Sequence, residues 1–147
     1  MSLLGTTTPQ QVLGYFAAGT TKRTSTIIDM SGYDGVLFVA GLGTIIADGT
    51  IDVFVEQNII NSTSGMARLA TTTAHTVTAG NAALTQSCIL VDVYRPQERY
   101  LQCNITPATQ NAVILGIVAI PYRGRALPGS TAASVIKQTQ LAGPAEA

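Results

Sequence analysis

The sequence predicts an all-β domain, an antiparallel β-sandwich or jelly-roll-like barrel with extended N- and C-terminal arms. Three observations lead there. Apolar and polar residues alternate at period two in several short runs, most clearly in TIDVFVEQ (50–57). Turn signals such as Ala47-Asp48-Gly49 separate those runs. No stretch shows the apolar spacing of a long amphipathic helix.

Taken in order, residues 1–25 are Thr- and Gly-rich with little periodicity and are expected to form an N-terminal arm outside the sheet. TIIDM (26–30) is a short strand, closed by the turn Ser31-Gly32-Tyr33-Asp34-Gly35. VLFVAGLG (36–43) is a strand apolar on both faces, so it is either central between two layers or half of it meets a partner. In TIDVFVEQ, Ile51, Val53 and Val55 face inward, with Asp52, Phe54 and Glu56 outward. Periodicity then collapses from Asn58 to Ser87, where Met66–Ala70 suits one helical turn and Ala74–Thr78 a short edge strand.

VDVYRPQERYLQCNIT (91–106) reads as a β-hairpin, with Val91, Val93, Leu101, Cys103 and Ile105 on its inward face. VILGIVAIPY (113–122) is again apolar on both faces, and Pro121 should end its pairing or lie at an edge. The sandwich therefore spans 26–122. A Pro/Gly/Ala-rich C-terminal arm follows over 123–147, with a weakly helical patch around Val135–Leu141.

Composition narrows the function. A chain of 147 residues buries about 70% of its unfolded surface, enough for a core without metals or disulfides. Charged residues make up 11% of the chain, against roughly 25% in an ordinary soluble domain. So few charges suit a surface that packs against other proteins, and a net charge of zero gives no footprint for nucleic acid. No run is apolar for the ~20 residues that a membrane helix needs. The opening MSLLGTTTPQQ lacks a basic stretch followed by an apolar core, so no secretory signal is expected. Cys88 has the opposite parity from Ile89, Val91 and Val93, whereas Cys103 shares the inward face. Both are expected as free thiols.

The candidate chemistry is thin. His75 is the one histidine, and nothing in the sequence orients a Ser/His/Asp set around it. The cysteines lack ligand spacing for zinc, and Asp29, Asp34, Asp48, Asp52 and Asp92 lack the spacing of a calcium loop. Gly41-Leu42-Gly43 has Ile46 in place of the third glycine of a dinucleotide loop, and a strand follows it. Asn61-Ser62-Thr63 and Asn104-Ile105-Thr106 match a glycosylation pattern that has no meaning without a secretory route. Neither an enzyme nor a cofactor is expected. The arginines remain: Arg95 and Arg99 flank one turn, and Arg123 and Arg125 follow the last strand. They either solvate strand ends, pairing with Glu98 or Asp92, or contact a partner protein, where Arg is enriched.

SGYDGVLFVAGLGTI, GTIDVFVEQ, VDVYRPQERYLQCNIT, AVILGIVAIPYRGRALP and the closing LAGPAEA, in that order, resemble small structural proteins of tailed-bacteriophage virions, of the head decoration or cement type. Tyr33, Gly35, Arg95, Pro96, Arg99, Tyr100, Tyr122 and Arg125 carry the resemblance, which covers roughly 26–147. It implies a β-sandwich that stabilises the capsid from outside, made in the bacterial host cytoplasm. The implied partners are the major capsid protein and further copies of the chain, a trimer being preferred. Neither nucleic acid nor membrane is among them. Candidate interface residues are Arg95, Arg99, Tyr100, Arg123 and Arg125, with Val135, Ile136 and Leu141 as apolar anchors of the C-terminal arm. The alternatives are a tail or head–tail connector component and a host-surface binding module. The second would draw on an aromatic supply of only 5%, with no Trp.

Overall fold

Alternation in TIDVFVEQ translates directly into packing: Ile51, Val53 and Val55 are at most 1% exposed and point into a core between two sheets. The structure is a computed structural model that describes residues 3–69, 76–80, 82–123, 134–143 and 145–146. In chain order the elements are α1 (Leu3–Thr6), β1 (Gln10–Leu13), β2 (Phe16–Gly19), β3 (Arg23–Thr24), β4 (Ile28–Asp29), β5 (Gly35–Ile45) and β6 (Thr50–Asn58). There follow β7 (Ala67–Arg68), β8 (Thr76–Thr78), β9 (Ser87–Tyr94), β10 (Tyr100–Ala108), β11 (Ala112–Tyr122) and β12 (Val135–Ala142). The first sheet runs β1-β11-β5-β9-β12, with β2 also on β11. The second runs β3-β10-β6-β7, with β4 on β10 and β8 on β6. Neither sheet closes into a barrel, so the fold is an all-β arrangement of two open sheets.

The strand that is apolar on both faces takes the central place. β5 sends Val36, Phe38, Ala40 and Leu42, each 0% exposed, into the core. Leu37 and Val39 lie on its other face, between β11 and β9. Ile89, Val91 and Val93 of β9 and Leu101, Cys103 and Ile105 of β10 complete the layer, all at most 1% exposed.

The RPQER segment is not a hairpin turn. β9 belongs to the first sheet and β10 to the second, so residues 95–99 carry the chain across the end of the sandwich. Arg95 turns it, with φ +50° and its N–H donated to the Asp34 carbonyl at 2.7 Å. Alternation had specified each strand's buried face correctly. It does not specify the neighbour, and a corner between sheets satisfies the same pattern. Cys103 is therefore in the core and Cys88 on the outer face of the first sheet, both free.

Both arms are drawn into the sheets. β1 and β2 pair with β11 and β3 pairs with β10, so the N-terminal arm edges both sheets from residue 10 onward instead of standing clear of them, while the strand expected in TIIDM is β4, paired with β10. Strands of two to four residues are too short to show period two, and tertiary pairing selects them. The expected helical patch around Val135–Leu141 is β12, laid parallel on β9. Val135, Ile136 and Thr139 are β-branched, and an open sheet edge outweighs a weak helical preference. Of the expected helical turn at Met66–Ala70, 67–68 are β7 and Leu69 forms a bridge, while 70 lies outside the described residues. The expected edge strand at Ala74–Thr78 is β8 in its second part, while 74–75 lie outside the described residues. Pairing runs on past Pro121 to Tyr122. The proline sits where its missing N–H faces the N-terminal segment, and its carbonyl accepts from Thr8 N–H at 3.0 Å.

β11 changes phase at a bulge. Ala112 and Ile114 are buried before it, Ile117 and Ala119 after it, and the register with β5 shifts between them. Gly116 takes φ +140° there, and a Cβ on it would lie 2.6 Å from the Leu13 carbonyl oxygen. Gly116→Ala is expected to destabilise the fold by about 1–3 kcal/mol, read as a fall in Tm. Gly14→Ala, in open space with nothing within 4 Å, should leave Tm nearly unchanged.

Candidate interaction surface

Register gathers one end of the sandwich. Gly35 pairs with both Tyr94 and Tyr122, and Tyr100 pairs with Asp29 and Asn58, so the turns at 30–35 and 95–99 lie together. α1 joins them, because Thr7 bridges to Tyr122 and Arg123 N–H donates to the Thr6 carbonyl at 3.1 Å. Tyr33, Tyr94, Tyr100 and Tyr122, all the tyrosines except Tyr15, are at this end.

Three of the arginines singled out in the sequence meet here, each over a ring. Arg95 lies 5.1 Å from the Tyr94 centroid, Arg99 5.2 Å from Tyr100 and Arg123 5.5 Å from Tyr33. Arg99 is also held in a two-pronged ion pair, its Nε and Nη2 donating to Asp29 at 2.8 and 2.9 Å. Tyr33 is fixed by a 2.8 Å hydrogen bond between its hydroxyl and Thr8 Oγ1. A groove of about 400 Å³ runs between the two turns, lined among others by Met30, Tyr33, Asp34, Arg95, Pro96 and Glu98. On the far side of Tyr33 a recess of about 160 Å³ lies between α1 and Arg123. Leu4 on α1, 76% exposed, borders it with apolar surface, and Leu3 beside it in sequence is 68% exposed. Ile59 and Ile60 leave β6 at the same end, 71% and 64% exposed. Aromatic rings, arginines and exposed aliphatics with few lysines are the composition of a protein–protein contact.

The outer faces of the two sheets differ. On the second, Lys22 and Arg68 cover Phe54 at 5.0 and 4.1 Å, and Arg68 pairs with Asp52 at 3.1 Å. Beside them Asn104 takes a hydrogen bond from Thr24 and donates to Glu56. The first sheet has aliphatic rows instead: Val118–Val39–Leu90, and Ile120–Leu37 ending on Asp92. Leu115 stands beside them, 50% exposed.

Two carboxylates feel these settings in opposite ways. The hydrogen bonds from Arg99 and then from Ser31 N–H push Asp29 down to about 2. Burial against the aliphatic face raises Asp92 above the ordinary carboxylate value, and the 2.7 Å hydrogen bond from the Tyr122 hydroxyl only partly opposes it. Burial likewise raises Cys103, which keeps that thiol protonated and inert.

Of the residues marked in the sequence, Arg95, Arg99, Tyr100 and Arg123 come together, whereas Arg125 and His75 lie outside the described residues. Val135 and Ile136 are on β12, away from this end, and Ile136 packs against the chain's own core. Leu141 pairs with Val93 in the backbone ladder. Sequence reasoning missed Asp29, Tyr33 and Tyr94 as members of the surface. The turn SGYDG was the available signal, since its tyrosine falls between residues that turn the chain. Among the described residues no three His, Cys, Asp or Glu side chains are grouped to hold a metal ion.

NMR titration should find the Asp29 carboxyl near its depressed value in the native protein and well back toward ~3.9 in Arg99→Ala. Because the folded value is lowered, the stability this pair gives is present above the ordinary value and lost as pH falls toward 2. Asp92 has the opposite sign: its raised value makes the charged form a penalty that grows as pH rises above the unfolded carboxylate value. Asp92→Asn should therefore raise Tm at pH 7 and have less effect at pH 3. Neither a scan against protein-family models nor a search of curated proteins finds a match to this chain.

Proposed function

We propose that the chain is a structural virion protein of a tailed bacteriophage, a decoration or cement protein that binds the outer surface of the capsid and stabilises it. The observation that carries this reading is the first sheet, aliphatic on both faces, in a domain whose inner face alone already supplies the core. A surface of that kind is made for contact and not for reaction. The sequence resemblance supplies the setting, and the end bearing Arg95, Arg99, Tyr100 and Arg123 supplies a second contact, toward the major capsid protein.

In this reading the protein adds buried interface around a shell under internal pressure. Three strands spaced by about 4.8 Å, with six residues at about 3.3 Å, give the outer face roughly 300 Å². That is well below the ~800 Å² per partner of a standard interface. Such contacts hold through repetition on a lattice, where simultaneous engagement multiplies modest affinities. The working state is a homo-oligomer, a trimer by preference. The long strands β5, β6, β9, β10 and β11 alternate between the two sheets, which supports a jelly-roll-like ancestry for the sandwich. A tail or head–tail connector component is the runner-up, since it would need the same kinds of surface.

Purified protein mixed with capsids lacking it and imaged by cryo-electron microscopy should appear as a regular lattice over the head. Density only at the neck would assign it to the connector, and no binding would remove the reading. Val39→Glu with Val118→Glu, both outward on adjacent strands, should leave the circular dichroism spectrum intact and lower the oligomer measured by light scattering. An oligomer that persists would move self-association off this face.

A further inference from the structure

β12 is attached unlike any other long strand. It forms the one parallel pairing among the described strands and lies at an edge of the first sheet. Its described side chains add little to the core: Ile136 packs on it while partly buried, and Thr139 is 9% exposed. The residues of β9 that face the core are at most 1% exposed with β12 in place, and they pack in one cluster with residues of both sheets. Without β12 the β9 edge would present unpaired donors and acceptors, so this edge needs a strand on it.

Register fixes the ends of the connection. Tyr122, Gly35, Tyr94 and Ala142 align across the first sheet at one end, whereas Val135 pairs with Cys88 toward the other. The chain thus leaves β11 at one end and starts β12 at the opposite end, beyond β5 and β9. Six steps along β9 at about 3.3 Å and three strand spacings of about 4.8 Å separate these points by roughly 25 Å. Residues 123–134, about 12 in all, can extend to roughly 40 Å. That length serves the chain's own β9 and has slack to reach the β9 of an adjacent copy. The bonds are the same either way: the parallel ladder, Cys88 N–H to the Ser134 carbonyl at 2.9 Å, and Gly143 N–H to the Tyr94 carbonyl at 2.7 Å.

We propose that in the assembled state β12 is exchanged between copies, the β9 edge of one chain taking residues 135–142 of a second. This rests on the homo-oligomer of the preceding section and names the element that links it. The outer face of the first sheet is too small to hold copies together alone. Exchange adds a full strand ladder per copy without requiring any new surface, because it re-uses an interface the chain already has. At low concentration the tethered strand wins through its effective concentration, and crowding on a lattice shifts the balance toward the neighbour.

Cross-linking distinguishes the two arrangements. Leu90 and Gln138 are partners in the parallel ladder. Leu90→Cys with Gln138→Cys, in full-length protein carrying Cys88→Ser, is treated with a short bis-maleimide, each of whose two alkenes adds one thiol, at micromolar and millimolar protein. Covalent dimers and larger species, at least tenfold more abundant at the higher concentration, are expected on denaturing gels. Internally linked monomer alone at both concentrations overturns the proposal. A second variant lacking residues 125–132 keeps about 4 connecting residues, roughly 18 Å between Tyr122 and Val135 when fully extended, too short for the chain's own β9. It should be a folded, closed oligomer by circular dichroism and light scattering, and a folded monomer or an unfolded chain overturns the exchange. Capsid decoration is read separately: shells decorated by a protein that cross-links only within itself would remove the exchange and leave the proposed function standing.

Discussion

Everything in this fold is arranged around one constraint: alternate side chains of five long strands must fill a single aliphatic core. Phe38 is the largest side chain in it, and the remaining space is taken by Val, Ile, Leu and Ala from both sheets, with Cys103 at 0% exposure among them. Each such aliphatic residue is worth about 1.5–3 kcal/mol when fully buried, so the phase of each strand is fixed by the residues it would otherwise expose. The corners follow from that. Arg95 in a left-handed conformation and the bulge at Gly116 are both places where the backbone is bent to keep the inward residues inward.

What remains after the core is filled differs between the two layers. The second sheet finishes its outer side with its own side chains: cations over Phe54, an ion pair from Arg68 to Asp52, and a buried Asn104 bonded on both sides. On the first sheet the half-buried Leu37, Val39, Leu90, Val118 and Ile120 have no such cover among the described residues. The two outer faces of one small domain are therefore finished in different ways. At the end of the sandwich the tyrosines hold arginines in place, so that any partner meets guanidinium groups already ordered, which lowers the entropic loss of binding.

How far this was legible in the sequence depended on the length of the element. TIDVFVEQ showed its buried face because eight residues display their period plainly, whereas VLFVAGLG, apolar on both faces, left open whether it was central or met a partner, and pairing makes it central. The parity of Cys88 and Cys103 was also readable. Their strands' neighbours were not, since alternation is a property of one strand and pairing is a property of two. β4 was readable in TIIDM, but β1 to β3 were invisible for a different reason: two to four residues carry no period, and their places are set by the unpaired edges of β10 and β11. The site followed the same rule. Arg95, Arg99, Tyr100 and Arg123 stood out because charge is scarce in this chain, whereas Asp29 and Tyr33 join them only once the ends of two sheets are superposed.

The bulge at Gly116 has a meaning for how this strand tolerates change. Up to Ile114 the even-numbered residues of β11 are the inward ones, and from Ile117 onward the odd-numbered ones are. β11 therefore behaves as two words read in different frames, joined by a glycine that belongs to neither. The positions that face away from the core are 113 and 115 before the bulge and 118 and 120 after it, so drift along this strand would change cadence in the middle. A relative that had lost the bulge would need to rewrite one half of the strand in order to keep the other.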